Sequence, residues 1–475
     1  MNYIRGSDRG EVLLLPEALE DYLAPENPVR FIDAFVAQLD LARAGFTKAE
    51  LKETGRPPYH PGVLLKLYLY GYLNRVRSSR GLEREATRNL EVLWLLGKLR
   101  PDFKTIADFR KDNGKGLKAV AREFTLLCRR LELFGGELVA IDSTKIKAQN
   151  AKSRNYSAAK VAAQLKEVEQ KVSSYLEELD KSDAVEASNS EQRLSVTELK
   201  EKIAHLEKRK EELKRVAQEV GEKGQVSLTD PDSRRMSMGH GSSVGYNVQS
   251  AVDSKHSLIL ETEVTQTSSD LNALGTMALK AQDALGQREL KVVADKGYYN
   301  GKEVLLCQEI GVTPYIAKPM TSANTAQGLY GKERFKYDKE KNCYICPAGQ
   351  ELTYRFRTNE LGRAISYYEA KACRSCQLKA QCTRNKDNRR ITRLCGEEAQ
   401  EEMAQRVANS PHLMRRRKAI IEHVFGTIKR SFGYDYFLCR GKEKVTTEVN
   451  LTVLAYNLKR VCNLLGVKEL IAAVS

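Results

Sequence analysis

The stretch Leu138-Val139-Ala140-Ile141-Asp142-Ser143-Thr144 decides how the rest of the chain reads. Up to about residue 135 the apolar positions keep helical spacing, in the Pro61 to Val76 stretch and at Leu117, Val120, Phe124, Leu127 and Leu131. At Glu137 the period changes. A short apolar run then ends on polar residues, the pattern of a strand that delivers the Asp142 carboxylate at its end. Before it, Asp102-Phe103-Lys104-Thr105 announces a third long helical segment, with Thr105 as cap, Asp108 three residues later, and Gly135-Gly136 as the stop.

Beyond Asp142, Val161, Leu165, Val168, Val172, Tyr175 and Leu179 recur at alternating spacings of four and three, as do Val196, Leu199, Ile203 and Leu206. Two heptad helices are expected, flanking a polar loop from about Lys181 to Gln192. Their charged outer faces read as a solvated antiparallel coiled-coil hairpin. Strand patterns return at Gly245 to Asp253 and Leu258 to Thr265, joined by a turn at Ser254-Lys255-His256. A helix from about Ser268 to Leu285 leads into Leu290-Lys291-Val292-Val293-Ala294-Asp295, a second apolar strand ending on a carboxylate. A helix near Lys302 to Ile310 and a strand at Thr313 to Ile316 follow. The order β-β-β-α-β-α-β, with the hairpin between its first two strands, is that of an RNase H-like sheet. The fold class expected is therefore α/β, a mixed sheet behind an all-α N-terminal domain.

Composition narrows the partners. Lys and Arg outnumber Asp and Glu by 78 to 62 over 475 residues, a formal charge of +16 that favours a polyanion, nucleic acid first. No apolar run approaches the roughly 18 residues of a spanning helix. The N-terminus has only the brief Val12 to Leu15 run and no secretory signal pattern, so the chain is expected in the cytoplasm, away from membranes. There the ten cysteines stay reduced, and regular Cys spacing points to metal. Cys343-x2-Cys346, Cys373-x2-Cys376 and Cys382 form such a pattern: five thiols for the four places of tetrahedral zinc. The turn Cys346-Pro347-Ala348-Gly349 favours Cys346, Cys373, Cys376 and Cys382 as the Zn2+ ligands. A reduced, metal-free insertion is the alternative.

Asp142 and Asp295 end two apolar strands and lie side by side if those strands are neighbours. Cleaving a phosphodiester with two divalent ions about 4 Å apart needs a third carboxylate. Glu422, in Ala419-Ile420-Ile421-Glu422-His423-Val424-Phe425-Gly426-Thr427-Ile428-Lys429, is the best supplier, with Lys429 two helical turns on along the same face. Asp230, Asp232 and Asp253 are rivals in turn-like contexts. Each piece alone is ordinary, since an Asp at a strand end usually caps a turn and a helical Glu is usually solvated. Only the ordered set lifts the reading.

Ala140-Ile141-Asp142-Ser143-Thr144, Ala294-Asp295-Lys296-Gly297-Tyr298, and Glu422 with six residues before Lys429 resemble the three motifs of DDE insertion-sequence transposases. The Pro61 to Arg110 region, ending TIADFR, and the tail from Asn450 to Asn463 resemble the same family, so the likeness covers nearly the whole chain. It implies a triad of Asp142, Asp295 and Glu422 holding Mg2+ or Mn2+, with Lys429 on DNA, and it strengthens the zinc reading, since related transposases carry similar Cys-rich insertions. Many of these enzymes have Tyr and Arg seven and four residues before the glutamate. Here those positions are Arg415 and Lys418, so positive charge is kept and the tyrosine is absent. Arg415, Arg416, Arg417, Lys418 and Arg430, with Arg75, Arg77 and Arg80, are the further expected phosphate contacts.

The resemblance implies an enzyme that cleaves and rejoins DNA at transposon ends and at a target, acting as a homodimer on DNA. An RNase H-like nuclease without strand transfer and an inactive DNA-binding regulator are the alternatives. The expected domains are a helical DNA-binding domain over 1–135 and a catalytic domain over 136–465. The latter is interrupted by the coiled-coil hairpin at 158–222 and the Cys-rich insertion at 335–395, and a tail follows over 466–475.

Overall fold

The computed structural model describes residues 18–50, 57–184, 190–239, 241–319, 323–360 and 363–474. The Val12 to Leu15 run and residues 185–189 of the expected hairpin loop lie outside them.

Asn27 starts the first helix: its side chain accepts the Val29 N–H at 3.0 Å, and Pro28 takes the first helical position, where no donor is needed. This helix, α1 (Pro28–Ala37), is followed by α2 (Pro61–Leu73), α3 (Ser79–Arg88), α4 (Leu90–Leu95), α5 (Phe103–Asp112) and α6 (Gly114–Arg130). α2 is apolar nearly all round and buried nearly all round, with Leu65, Leu67, Tyr68, Leu69 and Tyr72 fully enclosed. The single long segment expected after Asp102 is instead two helices. Asp102 rather than Thr105 is the cap, because its carboxylate accepts the Lys104 and Thr105 N–H groups at 2.9 Å while the Thr105 hydroxyl is spent as a donor to the same aspartate. Asn113 separates α5 from α6, and α6 ends at Arg130, short of Gly135-Gly136.

The chain then enters β1 (Leu138–Lys147), β2 (Asn155–Ser157), α7 (Ala158–Ala184), α8 (Ser190–Lys223), β3 (Gln225–Ser227), β4 (Arg234–Met238), β5 (Gly241–Asp253) and β6 (Ile259–Thr265). After α9 (Leu274–Leu285) come β7 (Leu290–Ala294), α10 (Gly301–Glu309) and β8 (Val312–Ile316). Six of these strands form one mixed sheet. β1 runs antiparallel to β5 from Val139↔Asp253 to Lys147↔Gly245 and parallel to β7 from Leu138↔Lys291 to Ile141↔Ala294. β8 lies parallel beyond β7, while β6 and β4 pair with successive stretches of β5 on its far edge.

The two faces of the sheet pack against different helices. Val139, Ile141, Val292 and Ala294 join the α9 and α10 side chains in one core. Ala140, Val252 and Val293 join a larger core that runs through α1, α2, α6 and the C-terminal helices. β2 and β3 pair with each other and clasp the base of α7 and α8, which pack together through Val161, Val168, Leu213, Val216 and Val220, a core of their own.

Past β8, α11 (Ala323–Ala326), β9 (Lys336–Asp338), β10 (Cys343–Ile345), β11 (Glu351–Glu360), β12 (Arg363–Glu369), α12 (Lys379–Cys382) and β13 (Arg390–Leu394) make the Cys-rich segment. Its strands form a second sheet in the order β13-β12-β11-β10-β9, all antiparallel, over a small core of Phe335, Tyr344, Leu352, Tyr368 and Ile391. α13 (Glu397–Asn409), α14 (Pro411–Gly426), a π-helical turn (Thr427–Ser431), α15 (Lys442–Leu465) and α16 (Val467–Val474) complete the chain. α16 buries Val467 and Leu470 in the large core.

Candidate active site

Asp142 does not end its strand: β1 continues five residues to Lys147 along β5. The parallel ladder with β7, however, stops at Ile141↔Ala294, and the next residues on the two strands are Asp142 and Asp295. By the alternation of a strand, Asp142 shares the face of Ala140, and Asp295 that of Val293, the face covered by the large core. The two carboxylates are thus neighbours on one side of the sheet.

Each is held differently. Asp142 Oδ1 accepts the Ser143 N–H at 2.8 Å, and Oδ2 accepts from Arg417 Nη1 of α14 at 2.5 Å. Burial raises the Asp142 pKa to about 6; the Ser143 N–H and Arg417 oppose the rise, and the neighbouring Asp295 charge adds to it. Asp295 turns back on its own chain, Oδ1 accepting the Gly297 N–H at 2.7 Å as cap of the turn Lys296–Tyr298.

α14 buries Ile420, Ile421 and Val424 and leaves Glu422 exposed, five residues beyond Arg417. Lys429 is not two α-helical turns along the same face. The helix loosens into a π turn after Gly426, so regular α spacing does not extend to Lys429, and its ammonium donates to the Lys145 carbonyl at 2.8 Å. Burial lowers its pKa. Arg415, Arg416, Lys418 and Arg430 are exposed.

Polar residues that the sequence did not single out brace the site from the opposite face of the sheet. Ser143 Oγ donates to Asp270 at 3.0 Å, and Asp270 also accepts from Asn247 at 2.7 Å and Gln249 at 2.6 Å. The buried Tyr298 hydroxyl donates to Gln249. Asp270 lies in the polar Ser268-Ser269-Asp270-Leu271-Asn272 loop, which has no periodicity to mark it.

The rival carboxylates have structural work. Asp253 is fully buried and accepts from Gly135 N, Gly136 N and Lys255 N at 3.1, 3.0 and 2.8 Å. Asp230 accepts from the Tyr246 hydroxyl at 2.8 Å and Gly441 N at 3.1 Å, and Asp232 accepts the Lys442 N–H at 2.9 Å at the start of α15. Arg77, expected on DNA, is buried against Tyr434 and Tyr436.

Cys346, Cys373, Cys376 and Cys382 line one cavity with Phe335 and Leu352. Gly349 N donates to the Cys346 carbonyl at 2.8 Å and Gln350 N to Cys346 Sγ at 3.3 Å, a tight turn around that sulfur. Burial, with the other three thiols, raises the Cys382 pKa against the pull of Arg389. Cys343 is buried separately, with Glu351, Asp338 and Lys341 as its charged neighbours. Among the described residues no group of three or more His, Cys, Asp or Glu side chains is drawn together closely enough to hold a metal ion.

Residues 345–462 match the family model described as the transposase DDE domain, and residues 17–112 match that described as transposase domain (DUF772). Both matches are to transposase families, and together they support a DDE insertion-sequence transposase. The DDE match takes in Glu422, Lys429 and the four cavity cysteines, while Asp142 and Asp295 lie upstream of it. A solved piggyBac transposase synaptic complex with hairpin DNA is similar over 94% of this chain and 79% of that one, at 8% identity and a TM-score of 0.32. No curated protein matches this chain. Among its described residues no helix is long and apolar enough to cross a membrane.

Proposed function

We propose that the chain acts as a transposase that binds the ends of its insertion sequence, nicks them with Asp142, Asp295 and Glu422 around Mg2+ or Mn2+, and joins the freed 3′-OH to target DNA. The observation that carries this reading is the placing of Asp142 and Asp295 one residue past the last parallel pair, beneath the helix that bears Glu422. The sheet order β6-β5-β1-β7-β8, with β5 antiparallel to its neighbours, supports an RNase H-like core in this reading. Two adjacent carboxylates, one of them largely buried and raised in pKa by that burial with a smaller push from the other, suit a divalent cation. Such ions, when bound, lower the pKa of attacking water and stabilise the leaving oxygen. Glu422, exposed on the same helix as Arg417, is the third ligand in this reading.

The chain's own residues supply the rest. Asp142 and Asp295 are oriented by the Ser143 and Gly297 N–H groups, and exposed Arg415, Arg416, Lys418 and Arg430, with Lys429, take phosphates. In this reading the helices up to residue 135 contribute end recognition, two copies act together on DNA in the cytoplasm, and the pair α7 and α8 is a coiled-coil arm. The four-thiol cavity takes a structural Zn2+, supported by the turn around Cys346 Sγ and by the separate burial of Cys343. The test is incubation of the full chain with end-containing DNA and Mg2+ or Mn2+. Nicked ends followed by strand-transfer products support the proposal; nicks alone would make it a nuclease, and binding without cleavage a regulator.

A further inference from the structure

Both oxygens of Asp142 are already partnered. Oδ1 is committed to the Ser143 N–H, and Oδ2 is covered by the Arg417 guanidinium at 2.5 Å, with the two side chains only 20% and 12% exposed. A divalent ion bound by Asp142 sits about 2 Å from one of these two oxygens, and so within a few ångströms of the guanidinium on Oδ2. Guanidinium and metal cannot share the carboxylate without close like-charge repulsion in a shielded site. Arg417 has little alternative business: Asp142 is its ion-pair partner, its neighbours Arg415, Arg416 and Lys418 are cationic, and Asp295 adds negative charge beneath it.

We infer that Arg417 is the resident counter-cation of the carboxylate pair, one that competes with divalent metal for Asp142 and is released from it on metal loading. The inference rests on the reading of Asp142 as a metal ligand. It separates Arg417 from its basic neighbours, which are exposed and bound to no carboxylate of the site. It also gives the metal-free chain a reason to be stable with two adjacent carboxylates, since the guanidinium neutralises what would otherwise be mutual repulsion. On release, Arg417 lies on the turn of α14 that carries Arg416 and Lys418, free to join them on phosphate. Metal loading and DNA contact are thereby coupled through one side chain.

The test is Mn2+ binding to the full chain, followed by electron paramagnetic resonance, in the parent and in Arg417→Gln, Arg417→Lys and Asp142→Asn. Removing a charge-assisted competitor should tighten binding about threefold to tenfold in Arg417→Gln. Arg417→Lys should fall between it and the parent. Asp142→Asn should bind weakly, with or without the arginine. Arg417→Gln that folds and binds Mn2+ no tighter than the parent overturns the inference. Asp142→Asn that binds like the parent overturns instead the assignment of Asp142 as a ligand. Should Arg417→Gln not fold, the parent itself decides: with 15N-labelled arginine, the Arg417 side-chain resonance, assigned by its loss in Arg417→Lys, should shift as Mg2+ is added. A resonance that stays fixed while metal binds contradicts the exchange.

Discussion

Arg77, between α2 and α3, lies over the ring of Tyr434 at 4.4 Å, and the same guanidinium pairs at 3.5 Å with Glu448, a carboxylate 1% exposed in α15. Glu448 also accepts the Leu438 and Cys439 N–H groups, and Arg77 donates to the Tyr436 carbonyl at 2.9 Å. The pair therefore ties the helices before the sheet to those after it. Removing one partner of a buried pair strands the other charge, so Arg77→Ala should lose about 3–5 kcal/mol of stability in urea unfolding. Arg84→Ala, an exposed neighbour, should stay within about 0.5 kcal/mol. Equal effects would mean that Arg77 is a surface residue after all.

Asp253 makes a second contrast. Asp253→Asn replaces an acceptor with a donor facing the Gly135 or Gly136 N–H, at a cost of about 1–3 kcal/mol. Mn2+ affinity should be unchanged, since the residue lies three positions along β5 from Ser250, the partner of Asp142, and on the opposite face of the sheet. Loss of Mn2+ binding with stability retained would move Asp253 into the metal site.

Much of this was legible in the sequence, and the failures have physical causes. Apolar runs closed by aspartate located β1 and β7, and their register places Asp142 beside Asp295. Strand ends were less visible: β1 continues through Ser143 to Lys147 because β5 is long enough to pair with it, a tertiary effect absent from local pattern. The Glu422 to Lys429 spacing implied one helical face only if the helix stayed α, and the π turn after Gly426 broke that assumption. Asp270, Asn247 and Gln249 meet only in three dimensions. Arg77 looked like one of several surface arginines until Tyr434 and Glu448 closed around it.

The α7 and α8 pair has its own core and is clasped at its base by β2 and β3. Excising residues 169–212 and joining the stumps with a short Gly-Ser turn should leave one cooperative unfolding transition for the remainder. A broadened or lost transition would show that the arm belongs to the main packing.

For the Cys-rich segment, purified protein should contain about one zinc per chain. Cys376→Ser should release it and make the segment between Lys332 and Leu394 readily cut by protease, because the ligands contribute folding energy. Cys343→Ser should keep its zinc, since that thiol is buried apart from the other four. Zinc lost from Cys343→Ser and retained in Cys376→Ser would reverse the ligand assignment.

The central claim is that Asp142, Asp295 and Glu422 act as one metal site. Its most direct measurement is cleavage of end-containing DNA in Mn2+ by Asp142→Asn, Asp295→Asn and Glu422→Gln, beside Asp232→Asn as a control that only caps α15. Groups that hold the same ions fail together, so each of the three should fall by at least about a thousandfold with DNA binding intact, while Asp232→Asn cleaves within a few-fold of the parent. Cleavage at the parental rate by Asp295→Asn or Glu422→Gln, with Asp232→Asn inactive, would contradict the account.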